Sequence, residues 1–164
     1  MHSLHTNRKA FSMIELVFVI VIIGILSAVA IPKLAVTRDD ATITKAIATV
    51  ASVRSAISTE RQKRVLRGDF TPIFKLSNQS GYNKDIFDAF DGTTTNPVLE
   101  YSFKSCSSAS STGCWRETVT GTVGSPVSEY TYSMPTSGTA VFSLSNNRFN
   151  CKVATDTNCQ ELTK

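Results

Sequence analysis

The chain has 164 residues, 41% of them hydrophobic and 18% charged, and its 17 Lys plus Arg exceed its 13 Asp plus Glu by a formal charge of +4. That length holds one compact domain plus an appendage, and so modest a charge, partly supplied by Arg8 and Lys9, does not by itself imply a nucleic-acid partner. The two histidines are His2 and His5; a chain lacking its first ten residues has none, which removes Ser-His-Asp and Cys-His catalysis and the commonest transition-metal ligand.

In chain order, the first element is apolar. From Phe11 to Ile31 the sequence carries a single charge, Glu15, and as a helix it would cover about 30 Å, the thickness of a bilayer hydrocarbon core. Arg8 and Lys9 stand immediately before it, so the positive-inside bias keeps the N-terminus in the cytosol and sends the rest across. An ordinary secretory signal would end at Ala28-Val29-Ala30 and release a chain starting at Ile31. A plain signal anchor is the second reading. Neither accounts for Glu15, because a carboxylate facing lipid costs on the order of a few kcal/mol and requires a partner or a function.

Residues 9–32, KAFSMIELVFVIVIIGILSAVAIP, resemble the prepilin N-terminal motif of the type IV pilin, type II secretion pseudopilin and competence pilin superfamily. That motif reads G-F-T-L-I-E, then an apolar run and a proline. Phe11, Ile14, Glu15, Leu16, Gly24 and Pro32 stand in the corresponding places, while Ala10 replaces the usual glycine. The resemblance implies that residues 1–10 are a leader, that a membrane-embedded prepilin peptidase cuts between Ala10 and Phe11 on the cytosolic side, and that the same enzyme methylates the amine of Phe11. Alanine is the next smallest residue, so processing is expected at lower efficiency. Glu15 would then lie one helical turn from that amine and meet the amine of a neighbouring subunit, turning two charges that are each costly in lipid into one neutral pair with a fixed axial register. Gly24 and Pro32 weaken a helix, and the resemblance implies that the segment between such residues loosens when subunits pack; the alternative is that both residues are simply frequent in membrane helices.

Beyond Pro32 the pattern becomes amphipathic. Ile43, Ile47, Val50, Val53 and Ile57 recur at three- and four-residue steps, with Ala46 and Ala51 beside them, which predicts a helical continuation over residues 33–67. Its end, ERQKRVLR, is the densest basic patch: Arg61, Lys63, Arg64 and Arg67 could contact nucleic-acid phosphates, but the favoured reading is a solvated helix terminus in which Glu60 pairs with Arg64. Residues 68–97 read as a connecting loop region with turn signals at Asn78-Gln79-Ser80-Gly81 and Asp91-Gly92, a short helix around residues 83–90, and Phe70, Phe74, Phe87 and Phe90 as core anchors. Strand-like patterns follow at 98–104, 115–123, 129–134, 139–144 and 148–153. Residues 98–164 should therefore form an antiparallel sheet of four or five strands, one face covered by the helix stripe.

Cys106, Cys114, Cys151 and Cys159 form two pairs with equal spacing. Three connectivities are possible, of which the two local ones are preferred; disulfides are favoured over a zinc site, since neither pair has the two-residue spacing of a zinc knuckle and no histidine is near. Disulfides place this region in an oxidising compartment, in agreement with the orientation argued from Arg8 and Lys9. In the resembled family a C-terminal disulfide often fixes a surface loop, a role implied for Cys151 and Cys159. Asp156-Thr157-Asn158 makes a poor calcium cage, and neither a metal nor a cofactor is expected.

The expected fold is α+β and pilin-like: a long N-terminal helix, half membrane-embedded and half amphipathic, packed on a C-terminal antiparallel sheet. The expected function is a structural subunit of a type IV pilus or of a secretion or competence pseudopilus, held in the bacterial inner membrane by a single pass, with prepilin peptidase and other subunits as partners. The competing reading is an exported or membrane-anchored binding protein or enzyme. For an enzyme, Asp39, Asp40, Asp85, Asp88 and Glu100 are present but form no recognisable catalytic pattern.

Overall fold

In the computed structural model, which describes residues 11–93, 95–122 and 125–164, helix α1 runs from Met13 to Leu66. The chain divides into two units, Met1–Arg38 and Asp39–Lys164. In the first, α1 is apolar on all sides: the successive residues Leu16, Val17, Phe18 and Val19 point in different directions around the axis and all are exposed. An 18-residue window here has mean hydropathy 3.0 with none of it buried, so the helix is long and apolar enough to cross a membrane. Gly24 and Pro32 both lie within the helix.

In the second unit α1 buries one stripe, Ala46, Val50, Val53 and Ile57, with Ile43 and Ile47 partly covered. Each fully buried aliphatic side chain of this size contributes about 1.5–3 kcal/mol. Ala51 lies off the stripe and is exposed. The helix ends in a Schellman arrangement, with Asp69 N–H donating to Arg64 C=O at 2.9 Å and Gly68 N–H to Val65 C=O at 3.0 Å. Gly68 adopts φ +76°, a conformation that favours glycine and stops the helix there.

Four strands, β3 (Cys114–Thr122), β4 (Ser125–Ser133), β5 (Thr139–Ser145) and β6 (Arg148–Cys151), form an antiparallel meander in that spatial order. Alternation puts Trp115, Tyr130, Tyr132, Phe142 and Phe149 on the buried face. The Tyr132 hydroxyl donates to Thr42 C=O at 3.1 Å, tying the sheet to the helix it covers. The β5–β6 turn has Asn146 and Asn147 at φ +50° and +58°, a two-residue hairpin of the kind whose twist matches its strands.

Three local expectations are corrected. Residues 98–104 do not join the sheet: only Phe103–Lys104 is extended (β2), and it pairs with Asp85–Ile86 (β1) as a separate two-stranded ribbon. The helix expected around residues 83–90 is absent; β1 and a 3-10 turn at Phe90–Gly92 occupy the region. Phe87 is the reason, since it takes φ +57° to bury its ring completely against Tyr130, Trp115, Phe103 and Phe149. A bulky residue accepts that left-handed strain only where tertiary packing outweighs it. Phe90 is also buried, whereas Phe70 and Phe74, at 70% and 45% exposure, are not core anchors.

Both local disulfides are present, Cys106–Cys114 around the serine-rich loop and Cys151–Cys159 from β6 to a short helix α2 (Thr157–Glu161). Helix α2 was not expected. Asp156 caps it, its side chain accepting from Asn158 N–H at 3.1 Å, so this carboxylate serves the backbone.

Candidate assembly site and the buried polar centres

The N-terminal site is built on the first turn of α1. Phe11 and Glu15 are both exposed, one turn apart. The Ser12 N–H donates to Glu15 Oε2 at 3.4 Å, and Ser12 C=O accepts from Leu16 N–H at 3.1 Å. Glu15 therefore reaches back to cover an orphan amide at its own helix start, where the helix dipole also favours an anion. Ser12-x-x-Glu15 is the sequence signature of a capping box, so this second use of Glu15 was readable without coordinates. Within the chain the carboxylate thus has a local partner. Gly24 has no packing reason to be glycine, since a methyl group there would meet nothing within 4 Å. Arg8, Lys9 and Ala10, and with them the cleavage position on its leader side, lie outside the described residues.

The basic patch at the end of α1 is not a uniformly solvated terminus. Arg64 and Glu60 are buried, and Arg64 Nε donates to Glu60 Oε1 at 3.0 Å while its Nη2 reaches Asp91 Oδ2 at 2.6 Å. Burial works against the guanidinium's charge, but its hydrogen bonds to Glu60 and Asp91 outweigh this and raise its pKa above the ordinary value. Asp91, held at φ +53°, also accepts from the amides of Phe74 and Lys75 at 2.9 and 3.2 Å. This network pins the connecting region to the helix. The Glu60–Arg64 pair was expected, but its burial and its Asp91 partner were not, because the charges were read as a solvated patch; Glu60 and Arg64 in fact continue the 46-50-53-57 stripe at the same three- and four-residue steps. Arg61, Lys63 and Arg67 lie off that stripe.

A second buried centre had no sequence signal. Glu117, 2% exposed, projects from β3 into the core opposite Tyr130 on β4. Its Oε1 accepts from the Tyr130 hydroxyl at 2.8 Å, and that hydroxyl in turn accepts from Leu76 N–H at 2.8 Å. Glu117 Oε2 and Ser128 Oγ have no partner among the described residues. Burial raises the Glu117 pKa, with the Tyr130 hydrogen bond opposing. The same centre raises that of Tyr130, through burial first and the adjacent carboxylate second. The arrangement ties the Leu76 segment to strands β3 and β4. No cluster of three or more potential metal ligands occurs among the described residues.

Residues 5–31 match the family described as the prokaryotic N-terminal methylation motif. The chain thus carries a prepilin-type N-terminus on an α+β body of one long helix and an antiparallel sheet. Over 50 residues it is 50% identical to the type IV narrow pilus major component PilA5 of Thermus thermophilus, a stretch amounting to 30% of this chain and 43% of that protein. The chain thus spans less than half the length of this curated relative. No solved structure matches it.

Proposed function

We propose that this protein is a structural filament subunit of the type IV pilus class, made as a precursor, processed between Ala10 and Phe11, methylated at Phe11 and assembled through the apolar half of α1. The observation that carries the reading is the methylation motif over residues 5–31 together with one carboxylate, Glu15, as the single charge of the exposed segment from Phe11 to Ile31. Its partners are prepilin peptidase and further subunits. The precursor sits in the inner membrane with its N-terminus in the cytosol and its sheet outside it, a placement that suits two disulfides. A pilus is favoured over a secretion pseudopilus because the relative that it resembles is a pilus component and because a fibre outside the cell benefits from covalent staples. The working step is association, in which Glu15 leaves its own helix start for a neighbour's Phe11 amine, with loosening between Gly24 and Pro32 fitting the helix to its neighbours; chemistry on a substrate has no place in it.

Mass spectrometry of the protein purified from membranes tests processing: a start at N-methylated Phe11 is expected. A start at Ile31, or an intact Met1 in cells with an active peptidase, overturns the reading. For Glu15→Val, insertion and leader removal should persist while incorporation into sheared fibres falls at least about tenfold, since an amine left alone in lipid costs ~2.5 kcal/mol or more.

A further inference from the structure

Away from the N-terminus, the outer side of α1 and the β5–β6 turn enclose a groove of about 460 Å³. Three arginines border it: Arg54 and Arg61, two turns apart on the helix, and Arg148 at the start of β6. None of the lining residues is acidic, and none of the three arginines forms a salt bridge among the described residues. Two are held by backbone. Arg54 Nε donates to Phe149 C=O at 3.0 Å and Arg61 Nη1 to Thr71 C=O at 3.2 Å, which leaves their remaining guanidinium N–H groups as fixed donors. By contrast Arg64 meets two carboxylates, and Lys104 and Lys152 meet one each. This groove is thus a concentration of positive charge with no internal counterion.

Its remaining walls narrow the ligand. Asn146, Asn147, Asn150, Gln62 and Ser58 offer both donors and acceptors, the complement of a hydroxyl-rich molecule. The turn is rigid, because Asn147 Oδ1 accepts from Ile73 N–H at 2.7 Å. The one aromatic lining residue, Phe149, is 1% exposed and committed to the core, so no ring is free to stack on a base. A volume of 460 Å³ exceeds what a single inorganic oxyanion fills and suits a sugar unit bearing one.

We propose that the groove bordered by Arg54, Arg61 and Arg148 binds an acidic polysaccharide, its carboxylate or sulfate groups on the arginines and its hydroxyls on the surrounding amides. The site is independent of the N-terminal assembly reading.

The test is titration of the detergent-solubilised full-length protein with oligomers of a uronic acid, with a sulfated dextran oligomer, with single-stranded DNA and with inorganic phosphate, all at one salt concentration. Arg61→Gln with Arg148→Gln should weaken acidic-saccharide binding by at least about tenfold, the scale of one lost charge-assisted hydrogen bond. Lys84→Gln with Lys164→Gln, the same charge change away from the groove, should change it less than about twofold if the site rather than net charge is responsible. Arg148→Gln alone, at an exposed turn residue, gives the same direction if the double variant is poorly folded. Whether the uronate or the sulfated oligomer binds more tightly identifies which oxyanion the site takes. The proposal is overturned by equal losses in the two double variants, by an Arg148→Gln protein that binds as the parent does, by DNA binding more tightly than either saccharide, or by no saccharide binding at millimolar ligand.

Discussion

The two halves of α1 share one backbone geometry and face opposite demands. Up to Ile31 the helix is apolar around its whole circumference apart from Glu15, and up to Arg38 it buries almost nothing within the chain; from Asp39 it buries a single stripe against the sheet. The first half is specified by composition, because any rotation about its axis presents hydrocarbon. The second is specified by period, because only one rotation brings Ala46, Val50, Val53, Ile57, Glu60 and Arg64 inward together. A helix surface left apolar on every side needs lipid or other copies to cover it, whereas a striped one is satisfied by its own chain.

The sharpest way to break that contrast is to place the same charge in each half. Val53 is fully buried, and Val53→Asp should unfold the second unit, seen as loss of its thermal transition, because an unpaired carboxylate in a core costs several kcal/mol. Val21→Asp should leave that transition in place and weaken membrane insertion by about 2.5–3.5 kcal/mol, read from the membrane-bound fraction. Next in size is Arg64→Ala, which strands Glu60 and Asp91. Breaking a buried pair costs about 3–5 kcal/mol, and because the Arg64 and Asp91 side chains keep 11% and 15% of their exposure, a loss of about 2–3 kcal/mol of unfolding free energy, read from denaturant titration, is expected. If Arg64→Ala is as harmless as a surface change, the stripe ends at Ile57 and the network contributes nothing.

Replacing Cys151 and Cys159 by serine should cost about 2.5 kcal/mol from the entropy of closing so short a loop. The Cys106–Cys114 pair has the same separation of 8 and thus the same entropic term. Any excess for the first pair measures the anchoring of α2, whose Cys159, like the adjacent Leu162, is wholly buried. The smallest effect concerns pH. Burial lifts the Glu117 carboxyl above its ordinary 4.5, so the folded chain keeps a proton that the unfolded chain releases; stability is greatest below that ordinary value and declines as pH rises through the raised one. Glu117→Gln should flatten this slope in pH-dependent melting, and an unchanged slope would remove Glu117 as its source.

Much of the architecture was legible in the residues. Apolar run, amphipathic period and alternating strands have distinct signatures, and they give the long helix, its packing face and β3 to β6. That the cysteines form disulfides rather than a zinc site followed from spacing and the missing histidine, and the preferred local pairing is the one present. Legibility failed where a residue's role depended on a distant segment. Phe87 takes a left-handed backbone only because four rings surround it, and residues 98–104 were read as one strand because alternation says nothing about where a partner lies. Glu117 carried no signal at all, because local sequence cannot say that Tyr130 stands opposite.

By itself the sequence determined the prepilin-type N-terminus, the position of Glu15 one turn behind Phe11, and the change along the helix from all-round apolar to striped, since each depends only on residues within a few turns of one another. Tertiary structure alone decided which charges are buried together, Arg64 with Glu60 and Asp91, and which are gathered without a counterion, Arg54 and Arg61 with Arg148. Electrostatic energy depends on distance in space and on exclusion of water, and neither is set until remote segments of the chain have packed.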